Sequence, residues 1–359
     1  MKAIQINKFR STPFLNLKSK LPDINLLNTN EMIVKVKYSP INPCDLGWIN
    51  GLYGNNLMKE NATFPLTVGF EGSGIVTKSY NNKSTFKEGD LVSFYTNNGS
   101  WAEYTIVNEN NCINLSNLNN KNNEDFMIKN SMLFINPLTA YAFLSIVKEF
   151  KKNSNLNEIS VVNTACKSFT GKYFTRLCSE NNINLINIYR KTENSIDDYI
   201  HQYKENKNIH FLDSSKEDFI AELNKMCNQL NCYIAFDCIG GELSGKIFHC
   251  LKESQSFSNP TTMYNYGNLL MRNLSGITTD DLIFNRKVLK GFWLFDYLNN
   301  NNSNTLNNYK NSIEFEKELI NNKNSDFNVS YEVNKCDEFL EAIKNYKENM
   351  SKYKKVLSF

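Results

Sequence analysis

The sequence predicts an α/β chain of two folds: a partly open β-barrel followed by a doubly wound parallel sheet. Three observations predict it. Over residues 1–135, short alternating apolar–polar runs are broken by Gly, Asn and Lys, with few helical stretches. From Ile159 onward, strand-like and helix-like runs alternate, the pattern of a parallel sheet with crossover helices. At 359 residues the chain is also longer than one core ordinarily holds. The expected division is 1–135 for the barrel, 136–298 for the doubly wound sheet, and 299–359 for a return to the barrel.

In chain order, KAIQINKF and EMIVKVKYS alternate strictly enough to be half-buried strands, and GSGIVTKS and DLVSFYT are short β-runs. In the sheet region, ISVVNTA, INLINIY, IHFLDSS and YIAFDCIGG read as strands. Between them KYFTRLCSEN, SIDDYIHQYKEN and EDFIAELNKMCNQL carry helical apolar spacing. Asn259 and Pro260 fall where the fifth strand should begin, and are expected to interrupt it. The tail reads as a strand (FNVSYEV), an amphipathic helix (DEFLEAIKNYKENM) and a last strand (YKKVLSF).

Composition excludes several classes. The formal net charge of +3 is dispersed, which implies no nucleic-acid or membrane partner. No apolar run is long enough to span a bilayer. Asn-rich stretches such as NLNNKNNED and NNNNSNTLNN read as solvated loops. The segment MKAIQINKF enters a strand directly and reads as neither a secretory signal nor a transit peptide, so a cytoplasmic location is expected over a mitochondrial one. Nine cysteines are scattered without a C-x-x-C pair and read as buried reduced thiols; Cys227, Cys232 and Cys238 are poorly placed for zinc. The three histidines, His201, His210 and His249, stand apart from one another.

The segments SPINPCDLGWINGLYG, FPLTVGFEGSGIV, GSWAEYTIV, FINPLTAYAFL, VVNTACKSFTGKYFTRLC, INLINIYRK, FDCIGG, YNYGNLL and VLKGFWL carry a resemblance. In this order and spacing the chain resembles the medium-chain dehydrogenase/reductase superfamily over essentially its whole length. It is most similar to the zinc-free quinone oxidoreductases and the mitochondrial-type 2-enoyl thioester reductases. The resemblance implies a GroES-like catalytic barrel, a Rossmann sheet, a small-molecule or thioester substrate, and a homodimer paired through the region Leu269–Ile283. Zinc alcohol dehydrogenases of the superfamily place Cys and His where this chain has Asn42 and Phe70. An amide is a poor zinc ligand and a phenyl ring is none, so no metal is expected.

A dinucleotide-binding turn uses three glycines, for a tight turn, close approach of pyrophosphate, and helix-to-strand packing. Aligning Gly171 with the last puts Cys166 and Ser168 at the first two. Enoyl reductases show a similar relaxed turn, so Cys166, Lys167, Ser168, Thr170 and Gly171 are expected to hold the phosphates. The other reading is a sheet that has lost its ligand, with Phe169 the uncomfortable residue. At the end of the second strand, Arg190 and Lys191 stand where an NAD site carries a carboxylate, which favours the 2′-phosphate of NADPH. Their bland reading is a solvent-facing basic pair. Tyr266, Gly267, Phe292 and Trp293 match segments lining the nicotinamide end in relatives. Asn42, Asp45, Asn136 and Thr139 match cleft segments; Asn136 and Thr139 also suit a helix start.

Without a Lewis acid, alcohol oxidation loses its way of stabilising an alkoxide, whereas hydride transfer to an activated C=C or a quinone remains feasible. Tyr53 matches the tyrosine of enoyl thioester reductases and is the expected proton donor, since a phenol is protonated at neutral pH. A packed turn tyrosine is the structural alternative. Arg286, Lys287 and Lys290 offer either a docking patch for an acidic acyl carrier or a plain solvated face. The expectation is a zinc-independent, NADPH-dependent reduction of an enoyl thioester. The alternatives are quinone reduction, and a non-catalytic NADPH-binding or structural protein that keeps the fold.

Overall fold

A computed structural model of the protein describes residues 1–52, 63–80, 84–116, 123–154, 156–191, 196–299, 314, 329–348 and 352–359. The chain forms two compact units, one of Met1–Ile135 with Ile313–Phe359, the other of Asn136–Ser312. The return to the first unit, expected at 299, falls against residues outside that description.

The first unit is all but strand. In chain order it contains β1 (Ala3–Ile6), β2 (Phe14–Asn16), β3 (Glu31–Pro40), helix α1 (Pro43–Ile49), β4 (Leu66–Thr67), β5 (Glu71–Ser79), β6 (Leu91–Tyr95), β7 (Tyr104–Asn108), β8 (Cys112–Asn114) and helix α2 (Glu124–Asn130). The long strand β3 organises it. Antiparallel β5 pairs along one edge, while β7 pairs with its first half and the last strand of the chain with its final residues. Met32, Val34 and Val36 alternate along β3 and point into one core with Val76, Val92, Phe94 and Val107.

The second unit begins in helix α3 (Ile135–Asn153). Six parallel strands follow: β9 (Ser160–Asn163), β10 (Asn184–Tyr189), β11 (Ile209–Asp213), β12 (Cys232–Asp237), β13 (Thr262–Asn265) and β14 (Val288–Gly291), in the order β11-β10-β9-β12-β13-β14. Strand order reverses at β9, the switch point where doubly wound sheets open a crevice beyond the strand ends. Crossover helices α4 (Phe169–Glu180), α5 (Asp197–Gln202), α6 (Phe219–Leu230) and α7 (Gly241–Cys250) connect the strands. Val162, Ile186, Ile188, Leu212, Leu223, Phe248 and Met263 fill one core. Helix α8 (Leu294–Asn299) follows β14. The tail adds β15 (Tyr331–Lys335), helix α9 (Phe339–Glu348) and β16 (Lys354–Ser358) to the first unit.

Asn259 and Pro260 do not interrupt the fifth strand, contrary to expectation. The ladder begins two residues later, at Thr262 against Ile234. Proline lacks an N–H and is harmless outside a ladder. Asn259 instead anchors the loop, donating Nδ2 to the Phe150 carbonyl at 3.1 Å. The basic segment before β14 is not a free face either. Lys287 is buried, 3.0 Å from Asp281, and donates to the Phe248 and His249 carbonyls. Arg286 donates to the Ser254 carbonyl and stacks on Phe257.

Candidate functional site

Between β9 and α4 the chain makes a tight turn with one glycine. Ala165 takes the left-handed conformation, φ 52°. A non-glycine residue there is held at a cost of about 1 kcal/mol or more. Ser168 caps α4: its Oγ accepts the Gly171 N–H at 3.0 Å. A Cβ on Gly171 would lie 2.5 Å from the Ala165 carbonyl oxygen and 2.7 Å from Cys166 Cα. Close helix-to-turn packing therefore rests on glycine, while the left-handed corner has moved to Ala165. Cys166 is buried at the base of the turn, and burial pushes its thiol up to about 12. Phe169 is buried as well.

The turn is positively charged. The Lys172 ammonium lies 5.8 Å over the Phe169 ring, held below its ordinary pKa by burial and then by repulsion from Lys167. Among the described residues Lys172 makes no ion pair with a carboxylate, so an anion placed here relieves both effects. Thr170 Oγ1 donates to Asn136 Oδ1 at 3.1 Å, joining two expected site residues. Beneath the turn a buried polar ladder holds the first turn of α4 to the sheet. Thr175 Oγ1 donates to the Gly171 carbonyl (2.8 Å), Asn187 Nδ2 to Thr175 (2.9 Å), and Asn163 Nδ2 to Asn187 (3.2 Å).

Arg190 and Lys191 follow β10 directly and are exposed. A carboxylate beside them, Asp213 at the end of β11, is occupied. It accepts from the Lys191 N–H (3.1 Å), and from Ser215 N–H and Oγ (3.0 and 2.7 Å). Burial would raise this carboxyl, but the Ser215 and Lys191 bonds outweigh it and hold it below the ordinary range.

At the carboxyl ends of β12 and β13, buried Asp237 accepts from Thr164 Oγ1 (2.8 Å), Ser244 Oγ (2.6 Å) and the Ile239 N–H (3.0 Å). This carboxylate fastens the loop after β12 to the turn after β9. Gly267 lies against Cys238, where a Cβ would come within 2.9 Å of the cysteine Cβ. The Tyr266 hydroxyl is buried beside Cys238 and, among the described residues, makes no hydrogen bond to an oxygen or nitrogen. Rings of Tyr266 and Phe292 pack on Phe143 at 4.8 and 5.1 Å. Trp293 lies next to Phe295 at 6.3 Å, and Thr139 is buried one turn along α3 from Asn136.

In the first unit, Asn42 is fully buried rather than presented to a ligand. Its Nδ2 donates to Glu71 Oε1 at 2.8 Å, and Lys354 Nζ donates to its Oδ1. Glu71 Oε2 accepts the Phe134 and Ile135 N–H groups at 2.9 and 3.0 Å. Asp45 Oδ2 accepts the Asn42 N–H at 2.7 Å. Burial raises the Asp45 carboxyl to about 8. Phe70 packs edge-on to Trp48 at 6.1 Å. Tyr53, the expected proton donor, lies outside the described residues. Lys354 was not picked out by sequence reasoning. In KKVLS both alternating faces are buried, which no local pattern signals.

A barrel and a doubly wound sheet with a capped turn at its switch point make up the fold of the medium-chain dehydrogenases/reductases, and the chain shares that fold. Residues 28–117 match the family described as alcohol dehydrogenase GroES-like domain. The enoyl-[acyl-carrier-protein] reductase 2, mitochondrial, of Candida tropicalis is 27% identical over 78% of this chain and 73% of its own length. The solved complex of Etr1p with NADP and crotonyl-CoA shares the fold at TM-score 0.74 and 22% identity, covering 100% of this chain and 99% of its own. A quinone oxidoreductase of Pseudomonas syringae shares it at TM-score 0.75 and 16% identity, covering 100% and 99%.

Proposed function

We propose that the protein is a zinc-independent, NADPH-dependent reductase that delivers hydride to the β-carbon of an α,β-unsaturated thioester. The observation that carries this reading is the sequence likeness to enoyl-[acyl-carrier-protein] reductases across 78% of the chain. The residues present fit the cofactor. The turn keeps its packing glycine and a capped helix start, and Lys172 lacks a carboxylate partner among the described residues. A buried Tyr266 hydroxyl, without an oxygen or nitrogen partner among the described residues, stands at the strand ends.

NADPH, when bound, supplies the hydride. The chain's own groups do the rest. The turn from Cys166 to Gly171 binds pyrophosphate with Lys167 beside it, and Arg190 with Lys191 grips the 2′-phosphate. Asn136, Thr139, Tyr266, Gly267, Phe292 and Trp293 orient the nicotinamide end. Tyr53 donates a hydrogen bond or proton to the developing enolate, whose charge the thioester carbonyl otherwise carries alone. Asn42 acts indirectly, since both ends of its amide are engaged with Glu71 and Lys354.

The test is a titration with NADPH and NADH, followed by turnover on enoyl-CoAs and quinones. The reading requires saturable binding that favours NADPH and a loss of that preference in Arg190→Ala. Tyr53→Phe must slow enoyl turnover far more than quinone turnover. Quinone-only turnover selects the second reading, which the likeness to a quinone oxidoreductase fold supports. Binding without turnover on either panel selects the non-catalytic reading.

Homodimerisation through the edge of the second-unit sheet belongs to the same proposal. Strand β14 ends the sheet, and Leu269, Leu270, Met271, Leu282, Ile283 and Phe284 are exposed around it. A monomer in sedimentation at micromolar concentration rules this out. No single described helix is long and apolar enough to cross a membrane. Cytoplasm is the location proposed; recovery with mitochondria on fractionation, where the Candida tropicalis relative's name puts that protein, would overturn it.

A further inference from the structure

The last strand delivers two adjacent lysines to opposite faces. Lys355 pairs with Glu332 of the neighbouring strand at 2.6 Å. Lys354 points the other way, into the barrel, and is 1% exposed. There its ammonium donates to Asn42 Oδ1, and the amide passes the interaction on, its Nδ2 donating to Glu71 at 2.8 Å. Glu71 uses its second oxygen to accept the Phe134 and Ile135 N–H groups, at 2.9 and 3.0 Å. Those amides open α3, where the helix dipole favours an anion. An ammonium and a carboxylate holding opposite ends of one amide also prevent that amide from flipping.

We propose that Lys354 is a positioning residue: through Asn42 it holds Glu71 in place as the anionic cap of α3, the helix that carries Asn136 and Thr139. The cap is a property of the fold alone, whereas its effect on cofactor binding rests on the dinucleotide reading above. Other groups facing this centre are Cys44 and Asp45 of α1, with Tyr346 of α9 beside those two. Burial raises Glu71, and Lys354 is the largest influence opposing that rise. Burial lowers Lys354 in turn, and Glu71 is the largest influence opposing that fall, so each favours the charged form of the other. Removing one member leaves the other as a buried unpaired charge, the costliest arrangement; removing both does not.

The experiment is a double-substitution cycle on the full chain with Lys354→Met, Glu71→Gln and the pair, read by amide hydrogen exchange and melting temperature. Exchange at Phe134 and Ile135 should accelerate at least tenfold in Lys354→Met, beyond any change in the β3–β5 core. The double variant should melt above Lys354→Met. If Lys354→Met does not fold, Glu71→Gln gives the same reading from the other end. Its neutral amide should loosen the same two N–H groups, and adding Lys354→Met should raise its melting temperature. Unchanged exchange at Phe134 and Ile135 in the single variants overturns the proposal, as does a double variant no more stable than the worse single. NADPH titration of the same proteins separates the two claims. A wild type that binds no NADPH sinks the dinucleotide reading, while the exchange data still decide the role of Lys354. A wild type that binds, with Lys354→Met about tenfold weaker, extends that role to the site. Unaltered affinity in Lys354→Met overturns the extension.

Discussion

Gly171 and Asp45 show how single side chains set the limits of each unit. Adding a methyl at Gly171 places carbon 2.5 Å from a backbone oxygen that cannot move without opening the turn. Gly171→Ala should therefore lower stability by roughly 1–3 kcal/mol and abolish saturable NADPH binding, read by thermal melting and fluorescence titration. Asp45 sets a pH dependence. Its folded pKa of about 8 lies above the ordinary 3.8, so the folded protein binds the extra proton between those values. Its stabilising share is complete below about pH 4 and is lost as pH rises toward 8. Asp45→Asn keeps the acceptor for the Asn42 N–H and cannot ionise. Melting of the variant should overtake wild type as pH rises from 5 to about 8.5, in a series of buffered scans; parallel curves would remove Asp45 from the balance. Gly171 was legible in the sequence, since its spacing from β9 marks it. The Asp45 environment was not, because burial and the neighbouring Glu71 carboxylate are set by the fold.

Secondary elements were legible to the extent that their patterns are local. Helix α4 begins at Phe169, three residues before the run KYFTRLCSEN, because Ser168 caps it and draws the turn into the helix. Strand β13 survives a neighbouring proline because the ladder begins beyond it. What no periodicity reports is how elements meet. Phe143 of α3 is fully buried and stacks on Phe236 of β12 at 3.9 Å, with Phe174 of α4 edge-on at 5.6 Å. It also supports Tyr266 and Phe292, both assigned to the nicotinamide end. Phe143→Ala should cost about 3–5 kcal/mol and weaken NADPH binding beyond what the stability loss explains. Chemical denaturation with matched titrations checks this, and Phe143→Leu should recover most of the stability.

At the scale of the molecule, two compact units imply two cores that a ligand need not stabilise equally. The groups assigned to the phosphates lie in Asn136–Ser312. NADPH at a hundredfold excess over Kd should add about 2.7 kcal/mol, and slow exchange in the core of Val162, Ile186 and Leu212 more than around Val34, Val92 and Phe94. Equal slowing in both cores would place the binding energy elsewhere. The succession of barrel, doubly wound sheet and return could be read from the chain alone. Alternation of apolar residues and the order of short segments are local properties, and they specify which elements form and in what sequence. The place of Arg190 and Lys191 at the end of a strand could be read in the same way, and the 2′-phosphate grip proposed for them rests on it. Lys354 and Asn42 are 312 positions apart, and no local pattern marks either as the other's partner. Only folding brings them together, because a buried ammonium must find its acceptor wherever the packed strands have carried one.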